Sequence, residues 1–168
     1  MLPNLIIIGA QKSGTTSLHD YLGRHPEIGM SRLKELKFFI SEGNWRKGKA
    51  WYESQFRSDR PIRGEASPQY TYFPEYAGVP ERMHSTVPEA KLIYLLRHPL
   101  DRIIAQYVHY VDAGTEERTL PEALRELEGN PYVQRSLYGM QLEQYLPYSY
   151  CVDLSKALPL VSCRRGNP

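Results

Sequence analysis

The stretch Leu5-Ile6-Ile7-Ile8-Gly9-Ala10-Gln11-Lys12-Ser13-Gly14-Thr15-Thr16-Ser17-Leu18 constrains the fold more than any other part of the chain. Its aliphatic run is too short to span a membrane and too apolar for a half-exposed edge, so it reads as a buried strand of a parallel sheet. The chain then turns on Gly9 and Gly14, and Thr15-Thr16-Ser17 opens a helix. Unpaired N–H groups in a first helical turn, with the positive end of the helix dipole, make such a loop an anion site before any side chain contributes. The spacing from Gly9 to Gly14 matches a nucleotide-hydrolysing P-loop, G-x-x-x-x-G-K-[ST]. Here, however, Thr15 fills the lysine position and Lys12 lies inside the loop. The loop is therefore read as a cradle for a 5′-phosphate, with Lys12 above it and the hydroxyls and amides of Thr15, Thr16 and Ser17 below. Magnesium-dependent triphosphate chemistry is disfavoured by the same displacement, and an ordinary strand-to-helix turn is the bland alternative.

A length of 168 residues allows one domain with one proper core. The net charge of +2 calls for no nucleic-acid partner, and no basic run resembles a DNA-reading arm. Thirteen tyrosines suggest pocket walls that are apolar with polar tips. Cys151 and Cys163 have no metal-ligand spacing and form no disulfide framework, which fits a reduced compartment. The early apolar run lacks the basic lead and cleavage site of a signal peptide, and no membrane span is expected, so the expected location is cytoplasmic.

The helix opened at Thr15 is expected to stop between Gly23 and Pro26. Residues 31–39 read as an amphipathic helical turn with solvated charges, and 44–57 as a helix whose Trp51 and Tyr52 pack rather than bind. A second short strand starts at Ile62 and runs into a Ser-Pro turn, and a helix is predicted over about 75–85. Lys91–Arg97 is a third strand, turning at Pro99 into a helix that carries Ile103, Ile104, Tyr107, Val108 and Val111. Two further helices are predicted at 119–128 and 136–147. Alternating strands and helices imply parallel βαβ crossovers, with ligands at the carboxyl ends of the strands, so Lys12, Ser67 and Arg97 should share one edge. The expected class is α/β: a P-loop-like three-layer fold with a central parallel sheet flanked by helices.

Gly-Ala-Gln-Lys-Ser-Gly-Thr-Thr-Ser-Leu at 9–18 resembles the 5′-phosphosulfate loop of sulfotransferases that use 3′-phosphoadenosine 5′-phosphosulfate (PAPS), and Leu-Arg-His-Pro-Leu-Asp-Arg at 96–102 resembles their 3′-phosphate-binding segment. Lys34-Glu35-Leu36-Lys37-Phe38-Phe39 and Glu65-Ala66-Ser67-Pro68-Gln69-Tyr70 are similar to two further elements of the bacterial and heparan-sulfate-type branch. The resemblance implies that Gln11, Lys12, Ser13, Gly14, Thr15, Thr16, Ser17 and Arg97 hold the nucleotide. It implies that Lys12 and the Thr16 hydroxyl stabilise the leaving group, that Glu35 is the general base, and that no metal takes part. A salt-bridged surface carboxylate is the alternative for Glu35, with Glu65 the competing base. The resemblance also implies an acceptor that is a small molecule or a glycan, offering a hydroxyl or an amine. Tyr70, Tyr72, Phe73 and Phe38 are read either as its cleft or as core.

The sequence departs from the family pattern at three places. Ala105 stands where a serine would bind the 3′-phosphate, leaving His98 or Gln106 as substitutes. Ala66 stands where polysaccharide enzymes carry a lysine, which favours the small-molecule branch. Asp101 and Arg102 read as a helix-start ion pair. Beyond Pro147 periodicity is lost, so the chain divides into a nucleotide-binding domain at 1–147 and an atypical tail at 148–168. Arg164-Arg165-Gly166 in that tail is only trivially like the family's basic loop. The fold is therefore expected to be incomplete, through truncation or an altered reading frame, leaving an open sheet edge. The alternative to an active enzyme is a catalytically weak nucleotide-binding fragment.

Overall fold

The computed structural model of the chain describes residues 1–56 and 59–148. The predicted tail, with Cys151, Cys163 and Arg164 to Gly166, lies outside them apart from Tyr148. Four parallel strands, β1 (Leu5–Gly9), β2 (Ile28–Met30), β3 (Ile62–Ala66) and β4 (Lys91–Tyr94), form a sheet in the order β2-β3-β1-β4. The helices are α1 (Thr15–Gly23), α2 (Gly48–Ser54), α3 (Val79–Thr86), α4 (Pro99–Asp112), α5 (Leu120–Ala123), α6 (Pro131–Gln134) and α7 (Tyr138–Glu143). The predicted α/β class and parallel sheet are thus observed.

Side chains alternate across a strand, and β1 uses both faces. Ile6 and Ile8 join one core cluster with Phe38, Phe39, Tyr52, Val79 and Met83, while Ile7 is fully buried outside it. Phe38 stacks on Tyr52 with ring centroids 4.0 Å apart. Tyr70 and Tyr72 are buried as well, so Phe38, Tyr70 and Tyr72 belong to the core rather than to an acceptor cleft.

The strand order locates the site. From β1 the chain crosses through α1 toward β2 on one side, whereas from β3 it crosses through α3 to β4 on the other. Adjacent strands whose connections diverge leave a crevice at their carboxyl ends, here between the loop after β1 and the turn after β3. At that crevice Gly9 has no room for a side chain. A Cβ there would lie 2.9 Å from Tyr94 Cε2 and closer still to Thr71 Oγ1. Gly9→Ala is therefore expected to destabilise the fold by about 1–3 kcal/mol through overpacking, read as a lower urea midpoint. An unchanged midpoint would contradict the close approach.

Four local expectations are corrected. Residues 31–39 are not a helical turn: Glu35 and Lys37 have φ of 64° and 49°, and Leu36, Phe38, Phe39 and Ile40 are buried. β2 carries no sequence periodicity and was not predicted; it is a three-residue edge paired to β3. The helix expected from 75 begins only at Val79, after Gly78 in a left-handed conformation. The two long helices expected near the carboxyl end are three short ones, because Asn130 caps a new start at Pro131 by accepting the Tyr132 amide at 3.0 Å.

Candidate active site

The loop after β1 is held by its neighbour strand, with the Leu95 amide donating to Gly9 O and the Ala10 amide to Leu95 O, both at 2.8 Å. Lys12 at φ 63° and Gly14 at φ 91° then turn the chain into α1. Gly14 stands at the N-cap of α1 and no side chain caps the first turn, whose amides have no partner within the helix. That uncapped turn lies at the positive end of the α1 dipole, an arrangement that suits an anion. The hydroxyl-bearing Thr16 and Ser17 are exposed there, whereas Thr15 is buried.

Arg97, just past β4, donates from Nη1 to Lys12 O at 3.2 Å. Both residues line one cleft of about 410 Å³, together with Asp101, Ile104, Ala105, Val108, His109 and Asp112. The two cations expected at one edge are therefore together. Ala105 faces the same cleft and supplies no hydroxyl to it. Gln106 is no substitute: it is fully buried and its Oε1 accepts from Arg102 Nη1 at 2.8 Å.

Arg102 itself makes no helix-start ion pair with Asp101. It is fully buried, donating to Ser136 Oγ at 2.5 Å, Gln106 Oε1 at 2.8 Å and Tyr132 O at 2.5 Å. Burial pulls its basicity below the ordinary arginine value. It ties α4 to α6, a structural task that the exposed position expected at a helix start did not reveal.

Gln11 is held by two residues from beyond β4. Its Oε1 accepts from Arg135 Nη1 at 3.3 Å and its Nε2 reaches Tyr110 OH at 3.5 Å. Arg135, which sequence reasoning missed, also donates to Glu75 Oε2 at 2.6 Å and stacks 3.8 Å above the Tyr72 ring. It fastens the loop after β1 to the helices that follow β4.

Glu35 lies beside the carboxyl end of β3, its amide donating to Ala66 O at 3.0 Å. Its carboxylate accepts from Lys34 Nζ at 3.0 Å and Gln69 Nε2 at 2.6 Å, with Lys37 Nζ 3.9 Å away. Burial acts to raise its pKa, but the hydrogen bonds from Gln69 and Lys34 and the charges of Lys34 and Lys37 outweigh it and hold the carboxyl below its ordinary value. The side chain stays about a third exposed, at 34%.

Glu65 is placed oppositely. It is fully buried, and Tyr52, Tyr70 and Ser67 donate their hydroxyls to it at 2.5, 3.0 and 3.0 Å. Burial raises its pKa to about 7 against the lowering effect of those three bonds. Enclosed in this way, it has no open face for an acceptor.

Among the described residues, no three His, Cys, Asp or Glu side chains are grouped as metal ligands, and no helix is long and apolar enough to cross a membrane. A family model described as a sulfotransferase domain matches residues 2–155. The chain is 40% identical over 111 residues to the membrane-associated sulfotransferase kil1 of Dictyostelium discoideum, covering 63% of this chain and 22% of that protein. It is 30% identical over 159 residues to heparan sulfate glucosamine 3-O-sulfotransferase 5 of Mus musculus, covering 88% and 45%. The crystal structure of a sulfotransferase from Alicyclobacillus acidocaldarius superposes with a TM-score of 0.74 at 31% identity, over 88% of this chain and 69% of that one. The chain thus spans less than half the length of both curated relatives.

Proposed function

This chain belongs to the sulfotransferase domain family, and from that premise we propose that it moves a sulfuryl group from PAPS to a hydroxyl or amine of a small-molecule or glycan acceptor. The observation that carries this reading is the shared cleft of Lys12 and Arg97 beside the uncapped start of α1. A nucleotide with phosphates on two ribose carbons needs cations at two separated points of one site, and a charge-assisted Arg97 contact suits the 3′-phosphate.

In the proposed reaction the bond from sulfur to the bridging oxygen of the 5′-phosphate breaks as a bond forms from sulfur to the acceptor atom. Lys12 neutralises charge on the departing oxygen, assisted by the loop amides and the Thr16 hydroxyl. Glu35, ionised by Lys34 and Gln69, takes the proton of the acceptor. Glu65 is too enclosed for that role.

The absence of a hydroxyl at Ala105 favours a second reading, a nucleotide-binding module with little turnover. Transfer of radiolabelled sulfate from PAPS over a panel of sugars, amines and phenols separates the two. Labelled product supports the enzyme, and nucleotide binding without product on any acceptor class supports the module.

A further inference from the structure

The turn that presents Glu35 is strained, because Glu35 and Lys37 both occupy the left-handed region without being glycine. Two hydroxyls hold it. Ser67 Oγ accepts the Lys37 amide at 3.0 Å, and Tyr70 OH accepts the adjacent Phe38 amide at 2.9 Å. Each hydroxyl has a single proton, and each gives it to the same carboxylate: Ser67 to Glu65 Oε2 and Tyr70 to Glu65 Oε1, both at 3.0 Å. Tyr52 adds a third donor from α2. A hydroxyl that donates to a carboxylate keeps its lone pairs free for an N–H, and the polarisation strengthens both bonds.

We infer that Glu65 is a positioning residue for Glu35: by drawing the protons of Ser67 and Tyr70, it turns their lone pairs to the amides of Lys37 and Phe38 and fixes the turn that carries the base. The inference rests on the reading of Glu35 as general base. It gives the buried carboxylate a task that neither proton transfer nor packing provides. A purely apolar residue at position 65 would leave three hydroxyl protons without an acceptor, and each hydroxyl would be free to rotate toward another partner.

Residue-by-residue amide exchange, read by NMR on the full chain, tests this without requiring turnover. In Glu65→Gln, Oε1 still accepts on one side, but Nε2 offers an N–H to the hydroxyl on the other, which loses its acceptor and is free to rotate away from the backbone amide it holds. Exchange at Lys37 or Phe38, whichever amide sits on the hydroxyl that faces Nε2, is expected to accelerate at least tenfold, while the amides of β1 stay within about twofold. Ser67→Ala should release Lys37 alone and Tyr70→Phe should release Phe38 alone, a selectivity that general loss of stability does not produce. Where Glu65→Gln fails to fold, Glu65→Asp carries the test: its shorter carboxylate cannot reach both hydroxyls, and Lys37 or Phe38 should be released in the same way. In a transfer assay, Glu65→Gln should slow the wild-type chain at least tenfold but leave Glu35→Gln no slower. Unchanged exchange at both amides in the folded Glu65 variant, or equal slowing in both backgrounds, would overturn the inference. Wild-type transfer by Glu35→Gln would instead overturn the base reading and leave the exchange result standing.

Discussion

Glu35→Gln is expected to slow sulfuryl transfer by about 10²- to 10⁴-fold, the usual contribution of a positioned general base. The amide keeps the shape of the side chain and loses the charge that faces Lys34, and its carbonyl oxygen is far too weakly basic to take up the acceptor proton. Because Glu35 lies beside β3 and not among the amides of the phosphate loop, nucleotide affinity should stay within about twofold. The measurement is a single-turnover rate with labelled PAPS, paired with calorimetry on adenosine 3′,5′-bisphosphate. Transfer at the wild-type rate would remove Glu35 as the base. A parallel loss of nucleotide affinity would show that the residue shapes the loop instead of the reaction.

Lys12→Ala is expected to cost about 10²- to 10³-fold in rate, as for removal of one preorganised donor to a developing negative charge. The effect should fall on the rate constant more than on ground-state affinity, because the charge on the bridging oxygen grows only as the sulfur bond breaks. The backbone is a complication to be separated, since Lys12 sits at φ 63° and its carbonyl accepts from Arg97 at 3.2 Å. Lys12→Gly relieves the backbone constraint and still removes the cation. Both variants should therefore be slow, and the glycine variant should be no less stable than the alanine one. A fast glycine variant would mean that loop geometry, not charge, is what Lys12 contributes.

Much of this site was legible in the chain because its signals are local. The aliphatic run of β1, the glycines at 9 and 14 and the hydroxyls at 15–17 specify strand, loop and helix start within a dozen residues. Arg97 followed from the same logic at the end of β4. The turn carrying Glu35 was misread because Lys34, Glu35 and Lys37 are interspersed with apolar residues in a way that imitates a short amphipathic helix. What fixes it instead is two hydroxyls from about 30 residues further along the chain. The Arg135 contacts to Gln11 and Glu75 and the neutral cage around Arg102 are likewise tertiary, so no periodicity announces them. Glu65 was legible as a carboxylate of interest, but only burial and its three hydroxyl donors separate it from Glu35.

The central claim is that Lys12 and Arg97 serve one nucleotide bearing phosphates on two ribose carbons, and calorimetry with adenosine 3′,5′-bisphosphate, AMP and ATP plus magnesium addresses it directly. The bisphosphate should bind roughly ten- to a hundredfold more tightly than AMP, the worth of hydrogen bonds to a charged group, and Arg97→Ala should erase that difference. Equal affinity for AMP and the bisphosphate, or tightest binding of ATP with magnesium, would contradict the account.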